Sequence, residues 1–242
     1  MKKIALLLLI ATISISCKST KESNLEITPI THGTAVLTSD DLTIYIDPTG
    51  KPEAFANFSP PNYVFITDIH GDHLSLKTLK SLDLSNSIIV APKAVAERIS
   101  EGTAKEIVIL NNGDEKTFGV FKAVAIPMYN LRKEALKFHS KGRGNGYVFT
   151  IDNQRIYFSG DTEDIPEMRA LKNIDKAFVC MNLPYTMTIE SAADAVLEFK
   201  PKEVYPYHYR GTGGLSDVAK FKSLINAGNP DIKVVQLDWY KK

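Results

Sequence analysis

Four side chains that could bind metal lie within one six-residue segment. Asp68, His70, Asp72 and His73 directly follow an apolar run at residues 63–66. This spacing is typical of a metal site on a loop at the end of a buried strand, and imidazole and carboxylate groups suit zinc, manganese or iron. Two ions held side by side there would make a hydrolytic centre. The alternative is a polar turn whose aspartate caps the next helix while the histidines are solvated.

The periodicity around this loop predicts a layered α/β fold. Strands come first, and β and α elements then alternate along the chain. The predicted strands are residues 25–30, 35–38, 42–47, 63–66, 87–90, 107–110, 118–126, 146–151, 155–159, 177–181, 204–207 and 232–237. The predicted helices are residues 74–82, 92–99, 166–171, 188–199 and 215–227. Such a pattern favours two sheets enclosed by helices, with the metal ligands on loops between them.

The N-terminus predicts export. Lys2 and Lys3 precede an apolar run at residues 4–15 that is too short to span a bilayer and ends near Cys17. We therefore expect a lipoprotein-type export signal over residues 1–16, with lipid on Cys17 anchoring the protein to a bacterial membrane, facing the periplasm or the cell exterior. A flexible tether over residues 17–26 would lead into a single domain over residues 27–242. The alternative is ordinary cleavage that releases a soluble protein with a free Cys17.

The charge balance gives no reason to expect a nucleic-acid partner. Loss of Lys2 and Lys3 with the signal reduces Lys and Arg from 29 to 27 against 28 Asp and Glu, for a net charge of −1. We expect a small-molecule substrate instead. Cys180 lies in an apolar run and is predicted to be a buried core thiol.

Three segments together resemble a known family. They are the 67–73 loop, Gly160-Asp161-Thr162 after a predicted strand, and the segment 206–209 around His208. Their order and spacing resemble the metallo-β-lactamase superfamily over nearly the whole chain after the tether. Phrases such as Tyr157-Phe158-Ser159-Gly160-Asp161-Thr162 and Tyr185-Thr186-Met187 are most similar to its ascorbate-6-phosphate lactonase-like branch of metal-dependent hydrolases. The resemblance implies an αββα sandwich with the metals at one edge.

The resemblance also implies a ligand set with one departure. Asp68 stands where the family has its first histidine, and it would hold the first ion together with His70. Asp72, His73 and His208 would hold the second ion, and Asp161 would bridge both. A carboxylate in the position of Asp68 adds negative charge and favours harder ions. Zinc is the favoured metal, and manganese or iron are the alternatives.

The third ligand of the first ion stays open between two residues. Spacing relative to Asp161 favours His139, whereas strand-end topology points to the segment that contains Asn130. We prefer His139, with Asn130 as a neighbour that shapes the site.

Such a ligand set predicts a hydrolase. Two adjacent cations would acidify a shared water, so that a metal-bound hydroxide attacks an ester, lactone or phosphoester bond, with Asp72 as a general base and Asp161 as the second catalytic carboxylate. One alternative is a phospholipid-type phosphodiesterase. Another is a metal-binding lipoprotein without turnover, in which the change at Asp68 leaves only one well-formed site.

Further residues are candidates for substrate binding or for support of the ligands. His32 lies between two early strands, where a simple turn histidine is the alternative, and Asp47 ends a strand and could orient a ligand. Tyr129 flanks the open ligand position. Tyr209 and Arg210 follow His208, and Arg210 could bind an anionic group. The basic, glycine-rich segment 141–146 is interpreted as a solvated loop rather than a lid.

Overall fold

The computed structural model describes residues 24–240. The predicted export signal, Cys17 and the tether up to residue 23 lie outside this range, so their predictions stay untested. Over the described part of the chain, no helix has the length and apolar character to cross a bilayer.

The first sheet has six strands in sequential order. They are β1 (Glu26–Thr31), β2 (Thr34–Ser39), β3 (Leu42–Ile46), β4 (Tyr63–Phe65), β5 (Ile88–Ala91) and β6 (Glu106–Ile109). The first three strands form an antiparallel meander, and β3 to β6 pair in parallel. Because parallel neighbours end at the same edge, the loops that follow β3 and β4 lie side by side.

The second sheet has seven strands in the order β15-β12-β11-β10-β9-β8-β7. In chain order they are β7 (Glu115–Phe118), β8 (Phe121–Met128), β9 (Gly144–Ile151), β10 (Gln154–Phe158), β11 (Lys176–Val179), β12 (Glu203–Pro206) and, after the small hairpin of β13 (Arg210–Gly211) and β14 (Gly214–Leu215), β15 (Lys233–Val234). Strands β7 to β10 are antiparallel, whereas β10, β11, β12 and β15 are parallel.

The helices cover the outer faces of the two sheets. They are α1 (Leu76–Ser81), α2 (Lys93–Ala96), α3 (Pro166–Arg169), α4 (Ile189–Phe199) and α5 (Val218–Gly228), with a 3₁₀ helix at Pro52–Phe55. Alternation along β4 shows the layering, because Phe65 packs between the sheets while Val64 and Ile66 face the outer cluster of the first sheet. Phe65 meets Phe149 of the second sheet edge to face, with ring centroids 4.7 Å apart. The predicted αββα arrangement is therefore present.

Several predicted boundaries differ from the structure. The single strand expected over residues 118–126 is the β7–β8 hairpin, which turns at Gly119 with φ +55° and pairs Phe118 with Phe121. Apolar residues on both sides of the turn hid this break in the pattern. The last strand is only two residues long, and the second helix is limited to Lys93–Ala96. Strand β1 begins at Glu26, the last residue of the tether that the sequence predicts.

Candidate metal centre

All five histidines of the chain converge at one edge of the sandwich. His32 follows β1, His70 and His73 follow β4, His139 lies between β8 and β9, and His208 follows β12. Both sheets therefore contribute imidazoles to one place, although the residues are far apart in sequence. This convergence argues against the solvated polar turn as the explanation of the 68–73 segment.

Asp161 lies at the centre of this group and is 3% exposed. Its Oδ2 is 3.4 Å from His73 Nε2 and 3.3 Å from His139 Nε2, and its Oδ1 is 3.5 Å from His208 Nε2. It is thus placed between two sets of ligand atoms, as a bridging residue would be. Its role as a bridge stays a prediction.

Asp68, His70 and His139 form the set expected for the first ion. Asp68 Oδ2 is 2.8 Å from His70 Nδ1 and 3.9 Å from His139 Nε2. Asn130 lies behind His139, with Nδ2 3.2 Å from His139 Nδ1, and it also donates to Tyr185 O at 2.7 Å. Of the two alternatives for the third ligand, the structure brings His139 to the other ligand atoms and makes Asn130 its neighbour.

Asp72, His73, Asp161 and His208 form the set expected for the second ion. Asp72 Oδ2 is 3.4 Å from His208 Nε2, and Asp72 Oδ1 is 4.0 Å from His73 Nε2. The rings of His73 and His208 are nearly parallel, with centroids 4.9 Å apart. His32 joins this side of the site, with Nε2 3.3 Å from Asp72 Oδ2 and Nδ1 2.8 Å from Tyr240 Oη.

Buried atoms at the centre of the site fit a cation. Among residues 24–240, His73 Nε2, His139 Nε2, His208 Nε2 and Asp161 Oδ1 are buried without a hydrogen-bond partner. Leaving such groups unsatisfied costs about 1–3 kcal/mol each. Imidazole nitrogens and carboxylate oxygens 3–4 Å apart are the donor set of divalent transition metals. The residues present therefore fit bound divalent ions.

The electrostatics keep Asp161 and Asp72 charged. Burial by itself would raise the pKa of Asp161, but the imidazoles of His208 and His73 hold it well below its usual range. Burial likewise opposes ionisation of Asp72, and the nearby imidazoles of His208 and His32 lower its pKa. Charged carboxylates are the form that binds cations.

Three residues around the expected site of the second ion have left-handed backbone conformations. They are His32 (φ +53°), Asp47 (φ +44°) and His208 (φ +46°). This conformation is unfavourable for side chains other than glycine, asparagine and aspartate. At His32 and His208, which are neither glycine, asparagine nor aspartate, the side-chain directions are therefore set at the expense of backbone energy.

A cavity of about 490 Å³ opens in front of the ligands. Its wall contains predicted residues and also residues that the sequence did not single out for the site. The lining comprises His32, His70, Asp72, Phe138, His139, Asp161, Asn182, Tyr185, Arg210, Gly211 and Thr212. The Arg210 guanidinium stacks over the ring of Tyr240, with Cζ 4.2 Å from the ring centroid. It has no carboxylate partner among residues 24–240, so it is available to an anion.

Two predicted wall residues lie elsewhere. Tyr129 directs its hydroxyl away from the cavity and donates to Glu167 Oε2 at 2.9 Å. The ring of Tyr209 packs edge to face on Tyr240, with centroids 4.8 Å apart. Neither side chain lines the cavity, because Tyr129 is directed at Glu167 and Tyr209 packs on Tyr240.

The segment 141–146 is not simply a solvated loop. Arg143 is 17% exposed and forms a salt bridge with Asp68. Its contribution had no signal in the sequence, because the two residues are 75 positions apart. Thr67 was also overlooked as a supporting residue; its hydroxyl donates to Asp47 Oδ2 at 2.6 Å.

Comparisons with known proteins agree with this geometry. UPF0173 metal-dependent hydrolases from Pyrococcus abyssi and Pyrococcus horikoshii are 32% and 33% identical over 193 residues, covering 75% of this chain and 84% of each relative. A crystal structure from Parabacteroides distasonis, described as that of a metal-dependent hydrolase, is 37% identical with a TM-score of 0.81, over 90% of this chain and 94% of that one. The model of the beta-lactamase superfamily domain matches residues 43–209. The predicted superfamily and fold are thereby confirmed, and the chain belongs to the beta-lactamase superfamily.

Proposed function

We propose that this protein is a metal-dependent hydrolase that cleaves an ester, lactone or phosphoester bond of a small anionic molecule. The observation that carries the proposal is the set of buried imidazole nitrogens and the Asp161 oxygen that lack hydrogen-bond partners and converge beside a cavity. Relatives that align with three quarters of the chain bear the name of metal-dependent hydrolases.

The candidate ligand atoms divide into two sets, and Asp161 lies between them. Asp68, His70 and His139 would hold one divalent ion, and the second set contains Asp72, His73 and His208. Besides Asp161, each set offers two imidazoles and one carboxylate, a combination that suits zinc and also admits manganese or iron. When bound, the ions supply Lewis acidity toward the attacked carbonyl or phosphoryl oxygen and lower the pKa of water in the cavity.

Asp72 is the residue best placed to orient the attacking water. Its side chain is 45% exposed, faces the cavity, and is kept ionised by His208 and His32. In that state its carboxylate can accept a hydrogen bond from the attacking water and orient it. His70, 38% exposed at the same wall, borders the space that this water would occupy.

Arg210 indicates the substrate class. Its guanidinium lines the cavity and is steadied by the Tyr240 ring. Beside it, the hydroxyls of Tyr185 and Thr212 are 3.0 Å apart and complete a polar wall. A carboxylate or phosphate group on the substrate would be bound by the planar fork of Arg210.

The sequence supports an exported, lipid-anchored location. Lys2, Lys3 and the apolar run that ends near Cys17 are the basis of this part of the proposal. A tethered hydrolase would act on substrates in the periplasm or outside the cell.

The experiment that tests the function is a metal count followed by a substrate screen. The protein would be purified without chelator or added metal, and its metal content per chain measured by elemental mass spectrometry. We expect nearly two equivalents, and turnover of anionic lactones, esters or phosphodiesters with the metal found. One equivalent or fewer, unchanged by reconstitution, together with no turnover, would instead indicate a binding protein. Cleavage of phospholipid vesicles alone would indicate the phospholipid phosphodiesterase.

A further inference from the structure

Arg143 binds the carboxylate of Asp68 through two parallel hydrogen bonds. Nε donates to Oδ1 at 3.0 Å and Nη2 donates to Oδ2 at 2.9 Å. Asp68 is fully buried and the Arg143 side chain is 17% exposed. A guanidinium paired in this way fixes the plane of the carboxylate as well as its charge.

The backbone on either side of the pair holds Arg143 in place. Asn145 N donates to Thr67 O at 2.9 Å, so that the start of β9 lies against the residue before Asp68. Gly144 permits this approach, because a Cβ there would lie 2.9 Å from Thr67 O and closer still to Met128 Cε. This backbone contact therefore places Arg143 next to Asp68, so that the paired hydrogen bonds form between groups that are already close together.

Arg143 also reaches the loop that carries the third ligand. Its Nη2 donates to Phe138 O at 2.5 Å, one residue before His139. Asp68 belongs to the loop after β4 of the first sheet, and His139 to the segment between β8 and β9 of the second. One guanidinium thus joins the side chain of Asp68 to the backbone directly before His139, and both residues are assigned to the first ion.

We propose that Arg143 is a positioning residue of the first metal position, where it fixes Asp68 and the 138–139 segment and offsets the charge that the aspartate brings in place of a histidine. The proposal rests on the metal site under Proposed function. If the proposal holds, the effect of a substitution at position 68 depends on the residue at position 143. A histidine at position 68 would leave the guanidinium as an uncompensated, largely buried cation beside the bound ion. It would also compete with Arg143 for the same space.

The test is a pair of substitutions read by metal binding. The metal-free full-length wild type, Arg143→Gln, Asp68→His and the double variant would each be titrated calorimetrically with Mn²⁺ and with Zn²⁺. For Arg143→Gln we expect the affinity of one of two binding steps to fall by about 10- to 100-fold while the other is unchanged. Asp68→His should lose the same step, and Asp68→His/Arg143→Gln should recover it to within about threefold of the wild type.

Controls separate this inference from the proposed function. Arg169→Gln removes an arginine that also pairs with carboxylates, those of Asp164, Asp194 and Glu198, and should leave both steps unchanged. If Arg143→Gln does not fold, Arg143→Lys keeps the charge without the fork and should still weaken the first step. Wild-type binding of both ions by Arg143→Gln, or no recovery in the double variant, would overturn the inference. A wild type that binds no metal would instead overturn the proposed function.

Discussion

Asp47 Oδ2 lies 2.7 Å from His73 Nδ1, and both side chains are almost wholly buried. Thr67 holds the carboxylate from both sides, through its backbone N–H to Oδ1 at 2.7 Å and its hydroxyl to Oδ2 at 2.6 Å. With Nδ1 engaged in this way, Nε2 of His73 is directed at Asp161. Asp47 therefore sets the orientation of His73, which is a candidate metal ligand.

Asp47→Asn should weaken metal binding without loss of the fold. Asparagine tolerates the left-handed backbone of this position, but its amide is a poorer partner for His73 than a carboxylate. We expect the affinity of one binding step to fall by about 10- to 100-fold in calorimetric titration. Asp40→Asn is the matched control, because Asp40 also has a left-handed backbone but lies in the β2–β3 turn. Equal affinities for Asp47→Asn and the wild type would contradict the assigned role.

Asp161→Asn and His70→Ala should each abolish activity and reduce the metal content. The first removes the central carboxylate, and the second removes a ligand atom at the cavity wall. We expect kcat/KM to fall by more than about 100-fold in each. The far-ultraviolet circular dichroism spectrum should be retained. Turnover by both variants at the wild-type rate would refute the site assignment.

Arg210→Gln should raise KM for an anionic substrate much more than it lowers kcat. The lost interaction is a charge-assisted hydrogen bond worth about 1.5–3 kcal/mol, which corresponds to about 10- to 150-fold in kcat/KM. For an uncharged ester of the same shape, the substitution should change KM little. Arg98→Gln, on the exposed surface beyond α2, serves as the control. Unchanged KM for the anionic substrate in Arg210→Gln would exclude the predicted anion site.

Glu203 should contribute stability that depends on pH. Burial opposes its ionisation, but Tyr205, Lys176 and Lys233 bind the carboxylate and lower its pKa to about 2. Because this pKa lies below that of the unfolded chain, the stabilisation is complete above about pH 4.5 and is lost as the pH falls toward 2.

Urea unfolding of Glu203→Gln should test this. We expect the variant to be less stable than the wild type by about 1 kcal/mol at pH 7, and the difference to shrink below pH 4. A difference that stays constant with pH would mean that packing, rather than charge, accounts for the effect.

Thiol titration should report on Cys17. Cys180 is fully buried, and burial raises the pKa of its thiol to about 12, so it should not react in the native protein. The chain has two cysteines. If Cys17 carries lipid, the native protein should show no reactive thiol and the denatured protein one. One thiol before denaturation and two after it would show that Cys17 is free.

The sequence predicted which side chains lie together where local pattern and chemistry coincide, while their roles stay predictions. His70 and His73 follow the apolar strand β4 of the first sheet, Asp161 follows the apolar strand β10 of the second, and the two strands end at the same edge of the sandwich. The same reasoning placed the layers of the fold correctly. Cys180 is a buried core thiol, as its apolar neighbours indicated.

Contacts between distant loops could not be predicted in this way. Arg143 lies in a glycine-rich, basic stretch that is typical of solvent-exposed loops, and only the pairing of Asn145 with Thr67 brings it to Asp68. Tyr209 is adjacent to His208, yet neighbouring side chains point in different directions, so sequence proximity did not place its ring in the cavity. The boundaries of the export signal, tether and domain remain predictions.

The two sheets of the sandwich each supply part of the same ligand set, with Asp68 from the first and His139 from the second. An ion bound by both would act as a removable cross-link at the open edge of the sandwich. Mass action then makes the melting temperature rise with free metal concentration. Amide hydrogen exchange in the loops after β4 and β8 should slow at the same time, while the opposite edge is little affected. Metal supply would thus regulate how often this edge of the molecule opens.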